Sequence, residues 1–127
     1  MNEPIFLTLD EVHRIHARSL AEHGGSDGVR DPGLVESALA SAKNIFYYAR
    51  GDVFEVAAGY AFHLAESQAF IDGNKRTAVV AAMVFLAKNG VYAQPATWKL
   101  YSAMIDVAEK KKTKADVAEI FRQRANE

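Results

Sequence analysis

The 127-residue chain has no cysteine, only three prolines and one tryptophan, and no marked excess of either charge. Without cysteine, disulfides and thiolate metal sites are excluded, which fits a reducing cytoplasm. Fifteen lysines and arginines against sixteen acids leave a net charge of −1, so no general affinity for nucleic acid or other polyanions is expected. No apolar run approaches the length that crosses a bilayer, so no membrane contact is expected. Met1-Asn2-Glu3-Pro4 lacks a cationic stretch followed by an apolar one, so no secretory signal is expected. No internal repeat and no low-complexity linker appear. What is present is apolar: half of the residues are hydrophobic, enough for a core without staples, and the length suits one domain over 1–127.

The apolar spacing reads as helices throughout, about six, with no alternation of the kind a sheet needs. Thr8-Leu9-Asp10-Glu11 forms a capping box that opens a helix running to about His23. A flexible loop follows over Gly24-Gly25-Ser26-Asp27-Gly28. Asp31 caps the next helix with Pro32 at its first position. Residues 44–51 read as irregular and aromatic, with Phe46, Tyr47 and Tyr48 expected to fill core. Asp52, with Glu55 three residues on, starts a third helix that is apolar nearly all round and so belongs at the centre. A fourth helix is expected from Asn74 to Lys88, stopped by Asn89-Gly90. Val91-Tyr92-Ala93, cut by Pro95, is too short for a strand. Thr97 and Thr113 are expected caps of two last helices over about 98–110 and 114–124. Lys110-Lys111-Lys112 reads as a solvated helix end or loop.

One run stands apart: Gln68-Ala69-Phe70-Ile71-Asp72-Gly73-Asn74-Lys75-Arg76-Thr77. A turn between two apolar helices needs glycine or asparagine, but it does not need Lys75 and Arg76 at a helix start. Cations there oppose the helix dipole, at a cost of about 0.3–1 kcal/mol each. Their placement points to a compensating anion, and a helix N-terminus with two cations suits phosphate. Asp72 adds a hard oxygen ligand of the kind Mg²⁺ takes beside phosphates. Phe70 is expected to anchor the loop in the core.

The same run resembles the motif of the Fic/Doc family, His-x-Phe-x-Asp/Glu-Gly/Ala-Asn-Gly/Lys-Arg, and in particular the Doc branch of toxins. Phe70, Asp72, Gly73, Asn74, Lys75 and Arg76 match, and Gln68 stands in place of the histidine. Flanking likenesses lie in His23-Gly24-Gly25, in Arg30-Asp31-Pro32-Gly33-Leu34, in Asp52 to Tyr60 and in Leu86 to Val91. The resemblance implies an all-α Fic/Doc-type bundle and a toxin of a type II toxin–antitoxin pair. Such a toxin transfers the γ-phosphate of ATP to a protein hydroxyl, the leading candidate being a threonine of elongation factor Tu. It would block translation and be held by an antitoxin that docks a helix in a groove near the site. The adenylylating branch of the family is disfavoured by Lys75 in place of its second glycine and by Val79 in place of its last arginine.

The roles implied by resemblance are these. Asp72 ligates or adjoins Mg²⁺, Gly73 lets backbone N–H groups converge, and Asn74 holds the loop or contacts phosphate. Lys75 and Arg76 neutralise phosphate charge. Gln68 occupies the general-base position but cannot take a proton at neutral pH. Three accounts of Gln68 stand open: a crippled or repurposed member, a member with residual transfer, or an inactivating change. A non-catalytic nucleotide- or antitoxin-binding module acting as co-regulator is the alternative class. Outside the motif, His63 is expected to be a packed helix residue rather than a replacement base. His13 and His16 are expected to be solvent-facing polar residues rather than metal ligands. His23 is expected at a helix C-terminus.

Overall fold

The structure, a computed structural model, describes residues 3–92 and 97–125. Among them six helices follow in order: α1 (Leu9–His23), α2 (Pro32–Tyr47), α3 (Val53–Ser67), α4 (Asn74–Lys88), α5 (Thr97–Ala108) and α6 (Lys114–Ala125). No strand occurs among the described residues, and the only ladder contact is a single antiparallel bridge between Val29 and Phe70. The chain is all-α.

The helices begin where the side chains can satisfy their first N–H groups. Thr8 Oγ1 accepts from the Glu11 N–H at 3.1 Å, and Glu11 reaches back to the Thr8 N–H at 2.9 Å. Asp52 and Glu55 repeat the arrangement at α3, at 2.9 and 3.1 Å. Asp31 accepts from the Gly33 N–H ahead of α2. Thr113 and Asp116 exchange bonds at the start of α6. Each such cap typically contributes about 1 kcal/mol. The break expected at Pro95 lies outside the described residues, and Thr97, expected as the α5 cap, is the first residue of α5, with its side chain outside those described.

The apolar periphery of α3 makes it the central helix. Val56, Ala57, Ala58, Tyr60, Ala61 and Leu64 are all buried. α3 packs on α4, α2 and α6, and α1 closes over α4. Gly59 permits the close crossing of α2: a Cβ there would lie 2.3 Å from Ile45 Cδ1. The segment before α1 crosses the bundle and is tied at both ends. The buried Tyr60 hydroxyl accepts from the Leu7 N–H at 3.1 Å, and Asn89, the C-cap of α4, pairs with both backbone groups of Ile5. Burial pushes the Tyr60 phenol up to about 12, so it stays protonated through the physiological range.

Two expectations are corrected. Residues 44–51 are not irregular throughout, because α2 continues to Tyr47. No helix breaker occurs before Gly51, and Phe46 and Tyr47 gain ring contacts with Phe6 at 6.1 and 5.7 Å by staying helical. Of the three aromatics, only Phe46 is packed against the core. Tyr47 is half exposed and Tyr48 is exposed.

α1 and α4 are also joined by Lys88 and Glu11 at 2.6 Å, both three-quarters covered. The Lys88 hydrogen bond, with the Thr8 cap, holds the Glu11 carboxyl below its ordinary value against an opposing effect of burial. A carboxyl lowered in the folded state stabilises above its unfolded pKa, and that contribution is lost as pH falls through the folded value. In urea unfolding followed against pH, Lys88→Met is expected to lower the midpoint at neutral pH. It should also flatten its decline between about pH 5 and pH 3. Parallel curves for the two proteins would remove the pair as a source of acid sensitivity.

Candidate active site

The loop from Gln68 to Gly73 joins the two most buried helices, so its backbone is fixed from both ends. The ring of Phe70, 1% exposed, anchors it in the core as expected. Asn74, the first residue of α4 and itself buried, accepts from the Phe70 N–H at 3.0 Å and donates to the Phe70 carbonyl at 2.9 Å. Of the two roles expected for Asn74, holding the loop is the one that occupies its amide in this structure.

A second clamp comes from the loop after α1. The Arg30 and Asp31 N–H groups both donate to the Ala69 carbonyl, at 2.7 and 3.2 Å, and Ile71 N–H donates to the Gly28 carbonyl at 3.1 Å. The Asp72 carboxylate accepts from the Ser26 N–H at 3.2 Å and the Gly73 N–H at 3.1 Å. Gly25 has φ +120°, and a Cβ on it would stand 3.0 Å from Asp72 Oδ2, so only glycine lets this loop close on the acid.

His16 supplies the third clamp, and here the structure corrects the sequence reading. The ring is buried, not solvent-facing. It stacks on Phe70 with centroids 3.8 Å apart and planes 12° from parallel. Its Nε2 lies 2.8 Å from the Asp72 carbonyl. A carbonyl only accepts, so the Nε2 carries the proton. His13 touches the other part of Phe70 edge-on at 5.8 Å. Among the described residues no cluster of three His, Asp or Glu side chains is placed to hold a metal. His16→Phe keeps the stack and removes the donor, and it is expected to cost about 1 kcal/mol in denaturant unfolding. It should also speed hydrogen exchange at Gly73. Unchanged exchange there would show that the bond does not restrain the loop.

The loop opens on a cleft of about 700 Å³ floored by the start of α4 and walled by His23, Gly25 and Tyr101. Gly73 is left-handed and no side chain caps α4, whose first turn holds no acid. The first intrahelical bond runs from Thr77 N–H to the Gly73 carbonyl. The N–H groups of Asn74, Lys75 and Arg76 precede it, so the positive end of the helix stands at the cleft. Lys75 is exposed. Arg76 is half-buried near the Tyr101 hydroxyl, whose pKa is raised by burial against the opposing charge of Arg76. Asp72 is the one carboxylate lining the cleft among the described residues. With one backbone donor on each oxygen it keeps lone pairs for a cation. This fits Mg²⁺, which takes one or two carboxylates and draws its other ligands from phosphates and water.

Gln68 lies at the edge of the cleft in the left-handed region, with φ 52° and ψ 36°. Its amide is turned back on α3: Nε2 donates to the Ala65 carbonyl at 3.0 Å, and Oε1 accepts from Asn74 at 3.5 Å. His63 does not approach it. That ring faces α6, with Nε2 3.3 Å from Lys114 Nζ. Burial first, and then Lys114, lower its pKa, and it is the packed helix residue expected. His23 closes α1 as expected, but it also lines the cleft. Sequence reasoning missed His16, Ser26 and Tyr101 as parts of the site. Tyr101 and His16 reach it only through folding, and no local spacing marks them.

A family model described as the Fic/DOC family matches residues 6–86, which hold the whole loop, α3 and all but the last two residues of α4. The chain is 36% identical over 83 residues to "Protein kinase doc" of Escherichia phage P1, covering 65% of this chain and 66% of that protein. It is 41% identical over 87 residues to "Toxin Doc" of Mycolicibacterium smegmatis (strain ATCC 700084 / mc(2)155), covering 65% of each. The matches thus span just under two thirds of these curated relatives.

Proposed function

The chain belongs to the Fic/Doc family, and from that membership we propose that it is a Doc-like toxin of a type II toxin–antitoxin pair. In this reading it works in the cytoplasm as a protein kinase. It moves the γ-phosphate of ATP to a protein hydroxyl, the leading candidate being a threonine of elongation factor Tu, and so blocks translation. An antitoxin restrains it by docking a helix in a groove near the site. The observation that carries the reading is the uncapped start of α4 with Lys75 and Arg76 in its first turn, opening on a cleft whose single acid among the described residues is Asp72.

Phosphoryl transfer asks mainly for positioning and for neutralisation of oxygen charge. The α4 N–H groups and Gly73 receive the phosphates. Arg76, half-buried, offers a planar fork to them, and Lys75 adds a mobile point charge. Asp72, held by Ser26 and Gly73, is the residue that would hold Mg²⁺, which supplies charge neutralisation at the phosphates when bound. Gln68 can hydrogen-bond the attacking hydroxyl and orient it, but it cannot accept its proton. Activity of this sequence is therefore reduced.

A second reading, a non-catalytic binding module that serves as co-regulator with its antitoxin, is favoured by Gln68 alone. Adenylyl transfer is disfavoured. Val79, at the position of the last arginine in that branch, is 1% exposed and points into the core, and Lys75 crowds the approach that a second glycine would allow. The test uses purified protein and its Gln68→His form with elongation factor Tu, Mg²⁺ and ATP labelled at either the α or the γ position. Transfer of γ-label supports the kinase. Transfer of α-label replaces it with an adenylyltransferase. Nucleotide binding with no transfer by either protein, to this or any offered acceptor, favours the module.

A further inference from the structure

A second concavity of about 690 Å³ adjoins the cleft between the end of α3, the end of α5 and the start of α6. Its floor is apolar, made by Phe62, Met104, Val107 and Val117, and Lys110, Lys112 and Lys114 stand around it. Gln68 and Lys75 border this groove and the cleft alike, so the two hollows meet at the general-base position. Glu66 is the one acid lining it among the described residues. In a chain of net charge −1, four lysines against one glutamate is a local concentration rather than a general basicity.

The lysines are only weakly neutralised by the chain itself. Lys112 lies 3.7 Å from Asp106. Lys114 has no carboxylate within ion-pair distance among the described residues; its ammonium lies 5.3 Å over the Phe62 ring and 3.3 Å from the neutral His63. Cations left beside exposed apolar surface are complementary to an acidic partner that also carries apolar side chains. Most of the groove lies outside the family match. Met104, Val107, the three rim lysines and Val117 lie beyond residue 86, where the family match ends.

We infer that this groove docks the acceptor polypeptide through an acidic segment bearing apolar side chains, and presents its hydroxyl at Gln68. The inference rests on the phosphotransfer reading for its direction. The α4 start, Asp72, Arg76 and His23 all lie on the cleft side, so the nucleotide occupies that side. In-line transfer sets the attacking oxygen opposite the leaving one. Gln68 stands at the boundary, and the hollow beyond it, which lacks the α4 N–H groups, Asp72 and Arg76, is the groove. The hydroxyl oxygen bonds to the γ-phosphorus as the bond to ADP breaks, ADP leaves on the cleft side, and the hydroxyl proton passes to solvent.

The test screens the full chain against an array of random peptides about four helical turns long, beside Lys110→Glu/Lys112→Glu. Both positions are exposed, and neither belongs to the phosphate site. Expected is a selected set rich in Glu or Asp with apolar residues, which shifts the methyl resonances of Met104, Val107 and Val117. Binding should weaken about tenfold in the double variant, and binding by the unaltered protein should weaken as salt is raised. It should persist with an ATP analogue bound. With elongation factor Tu and the Gln68→His form, the double charge reversal should raise KM for the acceptor and leave kcat and KM for ATP unchanged. The inference is overturned by peptides chosen without regard to charge, by no selected peptides, by methyl shifts elsewhere, or by an unchanged acceptor KM. Peptides that compete with the nucleotide would make the groove an inhibitor site and also overturn it. Groove binding as expected, with no phosphate transfer to any acceptor, would uphold the docking surface while removing the kinase reading.

Discussion

Gln68→His is expected to raise the rate of phosphate transfer by about 10²–10⁴-fold, the usual contribution of a positioned general base. Nothing else at the site needs to move for this gain. The backbone at Gln68 is left-handed, a region that histidine enters more readily than most residues. The side chain is exposed, and its two bonds, to Ala65 and Asn74, are peripheral to the clamps on Phe70 and Asp72. Stability should therefore change by no more than about 0.5 kcal/mol. Single-turnover transfer from γ-labelled ATP measures the ratio directly, and expression of the histidine form should arrest growth that the present sequence permits. Equal, measurable rates would mean that proton removal is not limiting, as a loose phosphoryl-transfer state allows. Silence from both would pass the lead to the binding module.

The helices were legible because their ends are written in adjacent residues. Thr8 with Glu11, Asp31 with Pro32, Asp52 with Glu55 and Asn89 with Gly90 each satisfy local backbone groups, and the structure ends its helices there. The end of α2 was not legible, because what keeps Phe46 and Tyr47 helical is Phe6, far away in sequence. The same distinction divides the site. Asp72 to Arg76 carry their chemistry in one turn and can be read in line. His16 is 56 residues from the carbonyl it holds, and Ser26 is 46 from the carboxylate it holds. The i, i+3 spacing of His13 and His16 places them on one face but does not say that Phe70 lies against it. The lysines after α5 were read as a solvated run. They are exposed, yet the packing of α3 beneath them turns that run into one wall of a groove.

Arg76→Ala is expected to separate activity from stability. In the Gln68→His background it should reduce transfer by about 10²–10³-fold, the loss seen when one preorganised donor to a developing oxygen charge is removed. Stability should stay level or rise slightly, because a cation in the first turn of α4 opposes the helix dipole, by about 0.3–1 kcal/mol where no anion answers it. Tyr101→Phe alone should be nearly neutral in both measurements. Arg76→Lys keeps the charge but not the fork, so it should recover only part of the rate. Lys75→Ala should cost less than Arg76→Ala, since Lys75 is exposed and Arg76 is half-buried. Transfer kinetics beside thermal unfolding of the same variants checks the set. A loss of more than about 1 kcal/mol in Arg76→Ala, with affinity for ATP unchanged, would make the residue a structural one. The anion would then have to be held by Lys75 and the backbone of α4 alone.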